Sequence, residues 1–226
     1  MKSPEDLAPF PVPTADGSHT LLHPVLNEHY HSRHGAIQES EHIFINLGLR
    51  PKLTGSEGRA VRVFEMGFGT GLNALLTWKL ADHLGSVVHY TGLEAYPVES
   101  AAQRLLNYDT LVRKQGFDLL HACSWEEQHQ LSAFFSFTKH EGFLHRYQAD
   151  SAYDLVYYDA FSPGAQPELW TVEIFERISE MMTAGAFLVT YSSKGSVRRA
   201  LAAAGFSVEK HPGPKWKREV IRAVRK

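Results

Sequence analysis

Val61-Arg-Val-Phe-Glu65-Met-Gly67-Phe-Gly69-Thr-Gly71-Leu-Asn73 decides how the rest of this chain is read. An extended, β-rich run ends in an acidic residue. Three glycines follow at alternate positions, and Leu72 to Leu84 then has the composition of a helix. Strand, tight turn and helix N-terminus in that order form the opening βα unit of a nucleotide-binding α/β domain. Glycine suits the turn because it tolerates positive φ and has no side chain to hold a ligand away. Dinucleotide enzymes carry G-x-G-x-x-G, whereas here the third glycine falls two residues after the second and Leu72 stands at the later position. Glu65, just before the turn, would repel a pyrophosphate at close range and favour a cationic ligand. The pattern E-x-G-x-G-x-G is therefore read as a site for S-adenosylmethionine (SAM), built from Glu65, Gly67, Gly69 and Gly71. A plain tight βα turn is the competing reading, and Asn73 could equally cap the helix.

At 226 residues, 43% apolar and 21% charged, the chain suits one ordinary domain with a modest appendage. It has no apolar run of ~18 residues and no signal-peptide core at its start, so no membrane segment is expected. The single cysteine, Cys123, gives no disulfide framework and fits a reducing cytoplasm, the expected location. A net charge of −2 excludes a molecule that binds nucleic acid by overall charge, though a local basic patch is compatible with it.

Outward from the turn, the pattern alternates between strand and helix. Strand 61–66 and helix 72–84 are followed by strand 87–93, which ends at Glu94, and by helix 97–106. A helical stretch near 109–115 precedes a loop-like segment, 118–132. Strands are expected at 133–139, 154–159 and 186–191, with helices at 167–182 and 195–204. The last two strands, beginning at Phe206 and Glu219, are too close for a crossover helix and should pair antiparallel. The expected fold is a class I SAM-dependent methyltransferase: Rossmann-like α/β, with a mainly parallel seven-stranded sheet and an antiparallel last strand. This domain spans 59–226. Residues 1–58 read as an N-terminal arm and appendage: a proline-rich arm over 1–13, a hairpin turning at Asp16-Gly17, and a helix from Ala36 to Leu47 stopped by Gly48.

Ligands of such sheets lie beyond the carboxyl ends of the strands at the switch point. Glu65, Glu94 and Asp159 all fall at strand ends. Glu94, 23 residues after Gly71, stands where a carboxylate would accept both ribose hydroxyls, unless it is simply a solvated acid. Asp159 opens Asp159-Ala-Phe-Ser-Pro163 and is the candidate catalytic acid, with a turn or N-cap aspartate as its alternative. Tyr30 and Glu39 are candidates to frame the cleft; Tyr30 as a packed aromatic is nearly as good a reading. His29, His31 and His34 lack carboxylates or cysteines at matching spacings, so no metal is expected. Lys215-Trp216-Lys217-Arg218, with Arg222, Arg225 and Lys226, suits either RNA backbone contact or a solvated edge strand.

Several of these segments together resemble the MnmC-type tRNA wobble-uridine modification enzymes. They are Glu65-Met-Gly-Phe-Gly-Thr-Gly-Leu-Asn73, Asp159-Ala-Phe-Ser-Pro163 with Pro167-Glu-Leu-Trp170, Thr190-Tyr-Ser, Val197-Arg-Arg-Ala-Leu, Ala204-Gly-Phe and Lys217-Arg-Glu219. Asp16-Gly-Ser-His-Thr and Tyr30-His-Ser-Arg-His-Gly-Ala-Ile-Gln-Glu39-Ser resemble that family's N-terminal region. The resemblance implies SAM-dependent N-methylation of 5-aminomethyl-(2-thio)uridine at the tRNA wobble position, giving the 5-methylaminomethyl product. It implies catalytic work for Asp159, with Tyr30 and Glu39 beside it. It implies SAM binding by Glu65, Gly67, Gly69, Gly71, Asn73 and Glu94, and by Glu141 at the adenine from a shifted position. Fused members also carry an FAD-dependent oxidase domain; this chain is expected to be a stand-alone methyltransferase, with tRNA as partner and a separate enzyme supplying the aminomethyl group. The competing classes are a small-molecule or protein amine methyltransferase, an aminopropyl transferase, and a non-catalytic SAM- or RNA-binding module.

Overall fold

The computed structural model describes residues 8–226; the first seven residues of the proline-rich arm lie outside the described residues. Strands β1 (Phe10–Pro13), β2 (His19–His23) and β3 (Glu28–His29) form a small antiparallel sheet in that order. Asp16 shapes its turn and also accepts the backbone N–H of Gln38 at 2.9 Å, which ties the hairpin to the helix that follows.

That helix consists of α1 (Ala36–Ser40), a π-helical stretch Glu41–Leu49 and α2 (Arg50–Thr54), continuous through right-handed junctions. It therefore does not stop at Gly48. A Cβ at Gly48 would lie 3.0 Å from Val189 Cγ2 and 3.3 Å from Leu155 Cδ1. The glycine marks a close approach of helix to sheet rather than a helix end. Ile43, Phe44 and Leu49 are buried in the same core as Leu75, Leu155 and Val189, so residues 36–54 cover one face of the main sheet.

The main sheet is built from β4 (Val61–Met66), α3 (Leu72–Leu84), β5 (Val88–Glu94), α4 (Ser100–Gln103), α5 (Tyr108–Val112), α6 (Phe117–Ala122), β6 (His129–Ser132), β7 (Phe135–Glu141), β8 (Tyr153–Tyr158), a 3-10 turn at Pro167–Trp170, α7 (Val172–Glu180), β9 (Met182–Thr190), α8 (Gly195–Ala203), β10 (Phe206–Pro212) and β11 (Glu219–Arg225). Its order is β10-β11-β9-β8-β4-β5-β7-β6. The five central strands run parallel, and β11 lies antiparallel between β9 and β10. The sheet thus has eight strands rather than seven. The extra one is β6, from the segment read as a loop; it is a short polar edge strand, bulged between Gln130 and Ser132, and it folds back on β7. With one ladder partner and a solvated edge, it carries little apolar pattern to read. Helix 97–106 contracts to one turn, and 118–132 contains α6 as well as β6.

Val63 and Phe64 are both fully buried on opposite faces of β4, as expected of a central strand covered on both sides. The order reverses at β4, between β8 and β5. A cleft opens there at the strands' carboxyl ends.

Candidate active site

The turn after β4 is stitched to both neighbouring strands. Gly67 donates its N–H to Leu93 O at 3.0 Å, and Asp159 donates to Met66 O at 3.0 Å. Gly67 sits at φ +89°, and a Cβ there would be 2.9 Å from Asp159 O. At Gly69, φ +51°, a Cβ would stand 3.2 Å from the Tyr30 ring. Side chains are excluded at both positions by the two walls they face. Gly71 (φ +77°) begins α3.

Asn73 does not cap that helix. It is buried, and its amide Nδ2 donates to Glu65 Oε1 at 2.8 Å and to Asp159 Oδ2 at 2.9 Å. Tyr90 OH donates to the other Glu65 oxygen at 2.6 Å. Two acids, 94 residues apart in sequence by their numbering, therefore share one amide donor beneath the cleft floor. Asn73 Oδ1 is buried without a protein partner. Burial holds the Glu65 carboxyl well above the usual carboxylate range, with Asp159 adding to the rise and Tyr90 and Asn73 opposing it. Asp159 is pushed up to about 8, first by burial and then by the nearby Glu39 carboxylate, against the pull of Asn73 and Lys217.

The cleft has a volume of about 710 Å³. Asp159, Tyr30, Glu39, Gly67, Gly69 and Glu94 line it. Glu65, Gly71 and Asn73 lie outside its lining, with Glu65 and Asn73 buried behind the wall that carries Asp159. Glu94 accepts the N–H of Gly69 at 2.8 Å and that of Tyr96 at 2.9 Å, and so braces the glycine turn from β5. Tyr30 meets Phe161 edge-on at 5.0 Å, and burial with the Glu94 charge raises its phenol above the ordinary range. Glu39 accepts Ser32 N–H at 2.9 Å and pairs with Lys217 Nζ at 3.2 Å. Glu141 is brought beside Glu94 in the β5–β7 register, but it is exposed, its backbone N–H goes to Glu126, and it does not line the cleft.

The three histidines all line the cleft but engage different groups. His31 is buried and hydrogen-bonded through Nε2 to Thr70 Oγ1 at 2.8 Å, His34 stacks on Trp216, and among the described residues no group of His, Cys, Asp or Glu converges to hold a metal. Lys217 and Trp216, on a basic tail by sequence, are carried to the cleft wall by the β10–β11 turn. Tyr191 lies there too, its hydroxyl donating to Ala160 O at 2.9 Å. Thr190-Tyr-Ser and Lys217-Arg-Glu219 were visible as motifs, but no local pattern signals that they meet. Arg222 is engaged by Glu209 at 2.8 Å.

A switch-point cleft at the carboxyl ends of a mainly parallel sheet, reached by a turn that only glycine fits, is the fold and site of the class I SAM-dependent methyltransferases. The residues suit the cofactor: the glycine turn leaves the wall free of side chains at Gly67 and Gly69, and the Glu94 carboxylate stands beside it on the cleft lining. A family model described as S-adenosyl-L-methionine-dependent methyltransferase matches residues 128–226. Within that class the chain is similar to the MnmC proteins. It is 31% identical over 208 residues to the tRNA 5-methylaminomethyl-2-thiouridine biosynthesis bifunctional protein MnmC of Pseudomonas syringae pv. tomato, covering 86% of this chain and 32% of that protein. To the protein of the same name from Pseudomonas fluorescens Pf-5 it is 28% identical over 227 residues, covering 88% and 32%. The chain thus spans about a third of the length of the curated relatives it matches. The crystal structure of MNMC2 from Aquifex aeolicus superposes with a TM-score of 0.82 at 29% identity, covering 99% of this chain and 72% of that one. A spermidine synthase, at 13% identity and a TM-score of 0.53 (96% and 72% covered), shares the fold alone. Among the described residues no helix is long and apolar enough to cross a membrane.

Proposed function

We propose that this chain methylates the primary amine of 5-aminomethyl-(2-thio)uridine at the tRNA wobble position, giving 5-methylaminomethyl-(2-thio)uridine. The reading includes tRNA as the partner, a cytoplasmic setting, and a separate enzyme that supplies the aminomethyl group. The relatives' names support the substrate, and the state of Asp159 supports the chemistry.

SAM, when bound, supplies an electrophilic methyl group on a sulfonium. The chain's own task is to deliver the acceptor amine neutral and aligned. A free alkylammonium has a pKa of about 10, so giving its proton to an ordinary carboxyl would cost about 8 kcal/mol. Against a carboxyl raised to about 8, the cost falls to about 3 kcal/mol, within reach of a catalysed step. Asp159, on the cleft wall at the end of β8, takes that proton in its ionised form and leaves the amine neutral for attack on the methyl group. Asn73 fixes its rotamer from behind. Tyr30, held by Phe161, and Glu39, held by Ser32 and Lys217, frame the entry and exclude water around the amine. Gly67, Gly69, Glu94, Glu65 and Asn73 form or brace the cofactor end of the cleft, and Gly71 lets α3 begin; Glu141 would reach the adenine only through a rearrangement of the β7 end.

The observation that carries this reading is one carboxyl on the cleft wall, pushed up to about 8, at the end of β8 and beside the glycine turn of a cavity of about 710 Å³. The test is transfer of a labelled methyl from SAM to tRNA isolated from cells lacking the modification, followed by nucleoside analysis. Labelled 5-methylaminomethyluridine is expected. Its absence from tRNA known to carry the aminomethyl precursor, with protein that binds SAM, would remove the reading.

A further inference from the structure

The turn that follows β4 has glycine at three of its five positions, 67 to 71, and glycine is the residue that gives up most freedom when its conformation is fixed. Its first N–H groups are taken by β5: Gly67 and Phe68 donate to Leu93 O at 3.0 and 3.1 Å, and Gly69 donates to Glu94 Oε2 at 2.8 Å. Thr70, between two glycines at positive φ, is held instead from outside the sheet. Its Oγ1 lies 2.8 Å from His31 Nε2, and its carbonyl accepts from His121 Nε2–H at 3.0 Å. Thr70 is 1% exposed, so water cannot stand in for either partner.

The two imidazoles come from separate parts of the fold. His31 is rooted in the small N-terminal sheet: its backbone N–H donates to Thr20 Oγ1 on β2 at 2.9 Å, and that of Tyr30 donates to Leu21 O at 2.9 Å. His121 stands on α6, edge-on to Phe117 at 4.7 Å and 5.6 Å from the ring of Phe68, the other side chain of the turn. A carbonyl only accepts, so His121 carries a proton on Nε2. Burial lowers both imidazoles to about 4, and neither adds positive charge beside a turn that receives a cationic cofactor. The N-terminal segment also reaches further along the cleft. The Tyr30 ring faces Gly69, where a Cβ would be 3.2 Å away, and Ser32 donates its N–H to Glu39.

We propose that His31 and His121 are positioning residues for the methyl donor: together they fix Thr70, set the glycine turn in the shape that receives SAM, and make the small N-terminal sheet part of the cofactor site. Their effect runs through Thr70. It depends on SAM as the donor and is independent of which acceptor takes the methyl group.

The test is calorimetric titration with S-adenosylhomocysteine, with a ligand-free thermal melt to show that each variant is folded at the temperature of titration. Thr70→Val keeps the shape and removes the hydroxyl; it should weaken binding about tenfold, while Thr70→Ser stays within about threefold of the wild type. His31→Leu should lose a similar factor, and His31→Gln, whose amide reaches the place of Nε2, should recover most of it. The double variant Thr70→Val, His31→Leu should bind about as His31→Leu does, because hydroxyl and imidazole share one bond. Thr70→Val with His121→Leu should lose both factors, since His121 holds the carbonyl that valine retains. Histidines that merely support the fold would lower the melt and leave the affinity of folded protein unchanged. The proposal is overturned if folded Thr70→Val binds as tightly as the wild type, or if the losses of Thr70→Val and His31→Leu simply multiply. Thr70→Val alone decides the matter if His31→Leu does not fold. The expected affinities without methyl transfer to tRNA would sink the proposed substrate and leave the role of the histidines standing. Transfer to tRNA with unchanged affinities would do the reverse.

Discussion

Asp159→Asn should make this protein more stable while removing its activity. The reason lies in the sign of one perturbed carboxyl. In the unfolded chain Asp159 ionises near 3.8, while in the fold burial and Glu39 push it up to about 8. Below pH 3.8 both states are protonated and the group makes no difference. Between 3.8 and 8 the unfolded chain releases a proton that the fold retains, so the penalty on folding grows as pH rises and levels off above 8. At about 1.4 kcal/mol per pH unit, the ceiling at pH 7 is roughly 4 kcal/mol. Relaxation of the cleft and water entry bring the expected gain to about 2 kcal/mol, which corresponds to a rise in Tm of several degrees. Asparagine has the same shape, and its carbonyl can still accept from Asn73. The assay is a thermal melt of both proteins, without ligand, at intervals from pH 4 to pH 8. The difference in Tm should be near zero at pH 4 and widen toward pH 8, while methyl transfer falls far more than SAM affinity does. A variant no more stable than the wild type across this range would refute the claim that Asp159 is strained by burial.

Gly67→Ala should cost about 2 kcal/mol of stability and more in SAM affinity, because positive φ and contact with Asp159 O act together; calorimetric titration showing undiminished affinity would contradict this. Asn73→Ala strips the shared donor from Glu65 and Asp159 and should cost about 1–3 kcal/mol, read by urea unfolding at pH 7; an unchanged midpoint would count against the shared amide. His31 is lowered to about 4 by burial, so its contribution is complete above pH 6.5 and is lost as pH falls toward 4. By pH 5 that loss is about 2 kcal/mol, and His31→Gln should flatten the slope of stability against pH over this interval.

Much of the architecture could be read locally. The glycines after Val61–Met66, the acids at strand ends, and the return strand at Glu219 follow from period, φ requirements and connection length, all of which act over a few residues. Gly48 was misread for the same reason. Glycine after an apolar helical stretch commonly marks a helix end, but here it lets a helix lie against Val189 and Leu155, residues more than a hundred positions away. β6 escaped because a four-residue polar edge strand buries too little to impose a pattern.

The sequence by itself determined the chemistry available: a methyl-donor turn, an acid at the end of β8, and an N-terminal region carrying Tyr30 and Glu39. Only the tertiary structure decided how those groups share their charges. It put Glu65 and Asn73 behind the cleft wall, joined Asn73 to Asp159, and brought Lys217 to Glu39 across 178 residues. A carboxyl's proton affinity depends on the water it loses and on the charges that replace it, and both are set by packing between distant segments. Spacing along the chain could identify Asp159, but it could not say that the fold would hold it mostly protonated at neutral pH.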